Sequence, residues 1–156
     1  MSLLVSGLHQ WCSLNNKPWL CAAGTQLRDQ VDLWFSDRRT TSDGWLGDAR
    51  HAKKGNASDH NPDTNGCVRA IDIDSRLDSS EGLSIYLADQ IRECAKSDKR
   101  ISYVIHNGMI ASKILNFKWR KYKGFNKHLR HVHISFTKLG DKDGKPFDIP
   151  LLGGKL

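Results

Sequence analysis

From Thr25 to about Asp37 the apolar residues Leu27, Val31, Trp34 and Phe35 recur at helical spacing, which predicts an amphipathic helix with Thr25, after Gly24, as its N-cap. Residues 36–66 are rich in Ser, Asp, Asn and Gly and poor in apolar side chains. They read as a long surface loop with one short strand or turn, and loops of that length inside a domain are usually functional. The run CVRAIDID, Cys67 to Asp74, reads as one buried strand, with Val68, Ala70, Asp72 and Asp74 on one face and Arg69, Ile71 and Ile73 on the other. Asp78-Ser79-Ser80-Glu81 fits a capping box, and Leu83, Leu87 and Ile91 mark a second helix to about Ala95. ISYVI and MIASK flank His106-Asn107-Gly108, the pattern of a hairpin with a type I′ turn. In HVHISF, Val132, Ile134 and Phe136 alternate with His131, His133 and Ser135, so the core and the opposite face are assigned together. The segment NFKWRKYKGFNKHLR (116–130) gives no clear period, and the tail GKPFDIPLLGGKL reads as irregular. The elements add up to an α+β fold, a small antiparallel sheet with two main helices.

The chain has 156 residues, enough for a single domain (1–156) that buries roughly two-thirds of its unfolded surface. It has no apolar run near the ~20 residues that cross a bilayer, which argues against a membrane span. The first Lys is Lys17, and His9, Gln10 and Trp11 interrupt the early apolar residues, so signal-peptide export is not expected. Cys12, Cys21, Cys67 and Cys94 form no C-x-x-C and no zinc-finger spacing, and are expected as thiols; a Cys12–Cys21 disulfide would need an oxidising compartment. A net charge of +7 and a pI near 9.4 suit polyanionic partners, whether nucleic acid, acidic lipid or the polymers of a bacterial wall. Charge serves solubility equally well and does not choose among them.

The chemistry concentrates in two places. His60 sits in a turn-rich loop that runs into the strand bearing Asp72 and Asp74, and His131 and His133 share one face of the last strand. Two imidazoles and a carboxylate are the usual protein ligands of catalytic zinc, so His60, Asp72 and His133 are the candidate set. An unpartnered carboxylate on an otherwise apolar strand is costly, and the plain alternative is a pair between Asp72 and Arg69 or a Lys. For Asp74, near the strand end, the plain alternative is a turn cap. His131, two residues from His133, is placed to carry a proton or face an oxyanion. His9 and His128 lack comparable context. His106 beside the turn and His51 in the loop are expected to be solvated, although His51 shares its loop with His60.

Ser58-Asp59-His60 followed by Gly66, then Ala70-Ile71-Asp72, and later His131-Val132-His133, resemble the S-x-H, G-x-x-A-x-D and H-x-H pattern of the LAS zinc peptidases. That group comprises lysostaphin-type enzymes, D-alanyl-D-alanine carboxypeptidases, L-alanyl-D-glutamate endopeptidases and the hedgehog signalling domain. More narrowly, LRDQVDLWF, RRTTSDGWLGDARH, SDHNPD, RAIDID, YVIHNGMIAS and HVHISF resemble the peptidase domain of endolysins from phages of actinobacteria, over most of residues 24–137. The resemblance implies a hedgehog/peptidase-like fold, Zn²⁺ on His60, Asp72 and His133, His131 as the catalytic histidine, and Ser58 touching substrate. It also implies hydrolysis of an amide bond in peptidoglycan stem peptides by a monomer made in the host cytoplasm and acting at the wall. No nucleic-acid partner is expected, and anionic wall polymers are a further possible partner. Arg50, and after it Arg39, are candidates to hold a stem-peptide carboxylate.

Two positions depart from the pattern. Eleven residues separate His60 from Asp72, more than in the compact carboxypeptidases, and Arg130 stands where the carboxypeptidase branch has its glutamate base. His131 is then the favoured base, with Asp74 and His128 in reserve. Two rival readings remain: a metal-dependent nuclease, suggested by Asp59-His60-Asn61-Pro62 and the basic charge, and a non-catalytic zinc-containing wall-binding module.

Overall fold

A computed structural model describes residues 17–155. In chain order its elements are β1 (Trp19–Leu20), α1 (Ala22–Trp34), α2 (Ala49–Ala52), β2 (Cys67–Val68), β3 (Ala70–Asp74), α3 (Leu83–Ala95), β4 (Ile101–His106), β5 (Met109–Ser112), β6 (Arg120–Lys121) and β7 (His131–Phe136). The class is α+β, with a short third helix, α2, where a plain loop was expected. Strands order as β3-β7-β4-β5-β6, all antiparallel, and a separate parallel pair joins β1 to β2. The register sets Asp72 opposite His133 and Asp74 opposite His131.

The alternation in β7 holds. Val132, Ile134 and Phe136 are buried in one core with Leu27 and Val31 of α1 and Leu87, Ala88 and Ile91 of α3, which explains why these β-branched and apolar positions must share a face. Helix α1 begins four residues earlier than expected, because the Cys21 sulfur accepts the Gly24 N–H at 3.3 Å and does the capping assigned to Thr25. Gly24 suits this crowded end: a Cβ there would lie 2.8 Å from the Leu20 side chain. Trp34, expected in the buried stripe, is mostly exposed.

The capping box does not form. Helix α3 follows Gly82, whose φ of 83° is left-handed, and the Asp78 carboxylate instead accepts the Ser80 N–H at 2.7 Å. The strand expected from Cys67 to Asp74 breaks at Arg69, whose guanidinium leaves the strand pattern to bind Asp63 and Asp141 at 2.7 and 2.6 Å. Arg69 therefore does not neutralise Asp72. The hairpin turn is as expected, with left-handed φ of 50° and 77° at Asn107 and Gly108. The unassigned basic segment supplies a tight turn (Ile114–Phe117) and β6, and the irregular tail sends Phe147, Ile149 and Leu152 into the core. Core packing thus continues past residue 137. Among the described residues Cys21, Cys67 and Cys94 are free thiols, and no helix is long and apolar enough to cross a membrane. Cys12 and His9 lie outside the described residues.

Candidate metal centre

The loop before β3 is not a free surface loop. Gly44 exchanges both backbone hydrogen bonds with Asp72, at 3.2 and 2.7 Å, so the chain at Gly44 bridges to the outer edge of β3. The same stretch presents the Trp45 carbonyl, which accepts a hydrogen bond from His60 Nδ1 at 2.9 Å, while the His60 carbonyl accepts the Gly47 N–H at 2.8 Å. A carbonyl can only accept, so His60 carries its proton on Nδ1 and turns the Nε2 lone pair inward.

Three ligand atoms converge there. His60 Nε2 lies 3.1 Å from His133 Nδ1 and 3.3 Å from Asp72 Oδ1, and His133 Nδ1 lies 2.9 Å from Asp72 Oδ1. The other nitrogen of His133, Nε2, is 3.0 Å from the Ser135 hydroxyl, which can take its proton and leave Nδ1 as a second inward lone pair. The His133 ring stacks on Tyr103 at 5.5 Å, and the Tyr103 hydroxyl donates to Asp59 at 2.7 Å. Two imidazole nitrogens and a carboxylate oxygen facing one point suit a cation, and each imidazole is oriented by an outer partner in the manner of metal-bound histidines. Among the described residues His60, Asp72 and His133 form a group able to hold a metal ion, with ligand atoms within 4.8 Å of one another. Burial alone would raise the Asp72 pKa, but when no ion is bound the inward nitrogens of His133 and His60 can take up protons, and their hydrogen bonds and charge then hold the carboxyl well below the carboxylate range. Burial opposes charge on His60 too, and Asp72 outweighs it, so its pKa rises.

Four more histidines surround the set. His131 Nε2 is 3.6 Å from Asp72 Oδ1, and burial lowers its pKa, so the ring is a neutral base near pH 7. His128, expected to lack context, is buried with its ring 4.9 Å from His131 and 5.4 Å from His133. Its φ of 54° is strained for a non-glycine residue, its Nδ1 has no partner, and burial followed by the nearness of His133 and His131 pushes its pKa down to about 4. His106, expected in solvent, is also buried. Its Nδ1 donates to the carbonyls of His128 and His131 at 3.1 and 2.9 Å, and its Nε2 accepts the Ser84 hydroxyl at 3.0 Å. His51 is half-buried rather than solvated, edge-on to His60 at 5.0 Å between ring centres, and it does line the site.

The remaining candidates divide. The Ser58 hydroxyl lies 2.8 Å from His51 Nδ1, beside the centre rather than free of partners. Arg50, on α2, is exposed and forks onto Asp48, one residue from His51. Arg39 is committed to Asp74 at 3.0 Å, and Asp74 also accepts N–H groups from Ser42 and Arg76 at 2.9 Å. Asp74, wholly buried and fully partnered, is neither ligand nor base. Arg130 is exposed and supplies no carboxylate. The supporting groups Trp45, Asp59 and Tyr103 were missed in the sequence, where only Asp59, beside His60, gave any signal. Comparison with protein-family models, with curated proteins and with solved structures finds no match to this chain.

Proposed function

We propose that the protein is a zinc-dependent peptidase that hydrolyses an amide bond in bacterial peptidoglycan stem peptides, built on a hedgehog/peptidase-like fold. The observation that carries the reading is the convergence of His60 Nε2, Asp72 Oδ1 and His133 Nδ1, with His131 Nε2 3.6 Å from the same carboxylate oxygen. Two histidines and one carboxylate are the donor set of catalytic zinc, whereas Mg²⁺ and Ca²⁺ favour oxygen-rich sites. The ion's contribution, when bound, is Lewis acidity, which polarises an amide carbonyl and lowers the pKa of water.

The other work falls to the chain's own side chains. His131, neutral because burial disfavours its charge, takes a proton from the attacking water at Nε2 and returns it to the departing amine. His128 lines the same space from the other side of His131, where an N–H can donate to charge developing on the carbonyl oxygen. Tyr103 and Ser135 keep the His133 ring in its plane, and the Trp45 carbonyl does the same for His60. Arg50, with its guanidinium exposed beside His51, is the candidate to receive a stem-peptide carboxylate, and Ser58 touches substrate through the hydroxyl it shares with His51.

The test is elemental analysis of the purified protein together with mass spectrometry of a peptidoglycan digest, run with and without chelator. One zinc per chain and chelator-sensitive release of stem-peptide fragments are expected. Zinc without cleavage would leave a binding module, and plasmid nicking in place of wall cleavage would leave a nuclease.

A further inference from the structure

The positive charge of this protein is not spread over its surface. Residues 99–140 contain ten Lys and Arg and no Asp or Glu, whereas the rest of the chain holds fourteen cations against seventeen acids. The whole net charge of +7 therefore comes from the stretch that runs from β4 to just beyond β7. Among the described residues, Arg100 is the one member of the ten that pairs with a carboxylate, bonding Asp98 and Asp143. Lys118, Lys121, Lys123 and Arg130 are exposed with no ion pair, and Phe125 between them is completely exposed. Unpaired like charges on one edge repel one another, and an anionic partner laid along that edge relieves the repulsion.

The topology gives this edge a direction. Strand β6 is the outermost strand of the sheet, and the chain from Tyr122 to Arg130 returns from it across the β4–β5 turn to enter β7. The return is fastened by backbone bonds from Asn107 to His128 and from Gly108 to Lys127, at 3.1 and 2.8 Å. It ends at His128 and His131, beside the metal centre. A polymer lying along β6 and this loop is led to the candidate site.

We infer that the β6 edge and the 121–130 loop bind a phosphodiester polymer of the bacterial wall, holding the enzyme on its substrate; the choice of a wall polymer rests on the peptidase reading. The aromatic and helical features argue for it over nucleic acid. Single-stranded nucleic acid is held by several free aromatic rings, but Trp119 is half-buried with its N–H on Asp89, and Tyr122 packs against His128, which leaves Phe125 alone. Duplex DNA is usually read by a basic helix, and α1 and α3 carry cations and acids together, Arg28 with Asp29 and Asp32, Arg92 with Asp89 and Glu93.

The experiment measures co-sedimentation of the full chain with purified walls, and with the same walls freed of phosphodiester polymers by acid. Fluorescence anisotropy with poly(glycerol phosphate) and with duplex DNA as probes gives affinities. Binding to intact walls and to poly(glycerol phosphate) should weaken about tenfold or more as salt rises from roughly 50 to 200 mM, since the release of cations from the polymer drives binding and gains less as bulk salt rises. Replacing Lys118, Lys121 and Lys123 together by Gln should weaken it by about tenfold and flatten the salt dependence, with metal content and circular dichroism unchanged. Equal sedimentation with stripped walls, an unaltered affinity in the triple variant, or tighter binding to duplex DNA than to poly(glycerol phosphate) would each overturn the assignment. Because binding is read without turnover, wild-type protein that binds the polymer but cuts no stem peptide removes the peptidase reading and leaves the surface standing.

Discussion

Six histidines and two aspartates gather around the paired strands β3 and β7, yet their partners give them different work. His133 has both ring nitrogens engaged, one on Ser135 and one on Asp72, whereas His131 approaches Asp72 at 3.6 Å and keeps its ring free. His133→Ala should therefore lose metal and activity together. His131→Ala should keep stoichiometric metal and lose activity by roughly 10²–10⁴-fold, the usual worth of a general base; zinc still bound at one per chain in the His133 variant would remove it from the ligand set. The aspartates separate in the same way. Asp72→Asn should weaken metal binding, because the amide cannot supply the charge that two neutral imidazoles leave to it. Asp74→Asn should leave metal affinity intact and lower stability by about 1–3 kcal/mol, since it unbalances a buried acceptor holding Arg39, Ser42 and Arg76. Isothermal titration and urea unfolding of the two variants distinguish the pair, and the reverse order would move the ligand to Asp74. From the sequence, Asp72 and Asp74 looked alike, two acids on one face of a strand. What tells them apart is Arg39, thirty-five positions away, and no local pattern announces which acid such a residue will meet.

The elements that carry their own local signal were legible, and those defined by distant contacts were not. The Asn107-Gly108 turn and the Val132-Ile134-Phe136 stripe depend on backbone preference and period alone, and both form as the residues dictate. The loop of residues 36–66 looked featureless because its order comes from outside it: Gly44 adds to the edge of β3, and Arg38 ties Asp32 of α1 to Asp43. His106 was misplaced for the same reason. Adjacent to a hairpin turn it looks solvated, but the 121–130 loop folds over that turn and buries it, so that its Nδ1 fastens the carbonyls of His128 and His131. A histidine buried as a neutral donor makes the assembly sensitive to acid. Burial lowers the His106 pKa, so above about pH 6.5 it is neutral in both folded and unfolded chains; below that the unfolded chain takes the proton first and stability falls toward the folded pKa. His128 acts in the same direction, down to about pH 4. His106→Asn retains an N–H donor and cannot titrate. In chelator, its urea stability should fall less between about pH 7.5 and about pH 5 than that of the wild type, at a cost of about 1 kcal/mol at the higher pH. Equal pH slopes for the two proteins would mean that His106 is not held neutral.

At the scale of the molecule, the candidate centre joins segments that no single element connects. His60 comes from the long loop, Asp72 from β3 at the edge of the sheet, and His133 from β7 next to it. Apart from the Trp45 side chain, which packs partly buried against the core, the loop is otherwise held by polar contacts, among them the Trp45 carbonyl, the Gly44 pairing and the Asn61 amide on the His51 and Gly55 carbonyls. It contributes no residue to the fully buried apolar core, which runs from α1 to α3 and on to Phe147, Ile149 and Leu152 of the tail. An ion bound by the folded chain and not by the unfolded one stabilises it by RT ln(1 + [L]/Kd), about 2.7 kcal/mol at a free concentration one hundred times Kd. For a chain of this size each kcal/mol moves the midpoint by roughly 2–4 °C, so chelation should lower the Tm by about 5–10 °C. The control is built into the site: His60→Ala should melt at one temperature with or without zinc, while Asp74→Asn, although less stable, should keep the full zinc-dependent rise. Differential scanning calorimetry reads both. The apo protein should also show its first gain in amide exchange in residues 44–60, because the loop loses the tie that the ion makes between His60 and strands β3 and β7 and keeps its pairing at Gly44. A zinc-loaded protein whose Tm does not respond to chelator, or a loop whose exchange is the same with and without metal, would mean that these three segments are held together without an ion.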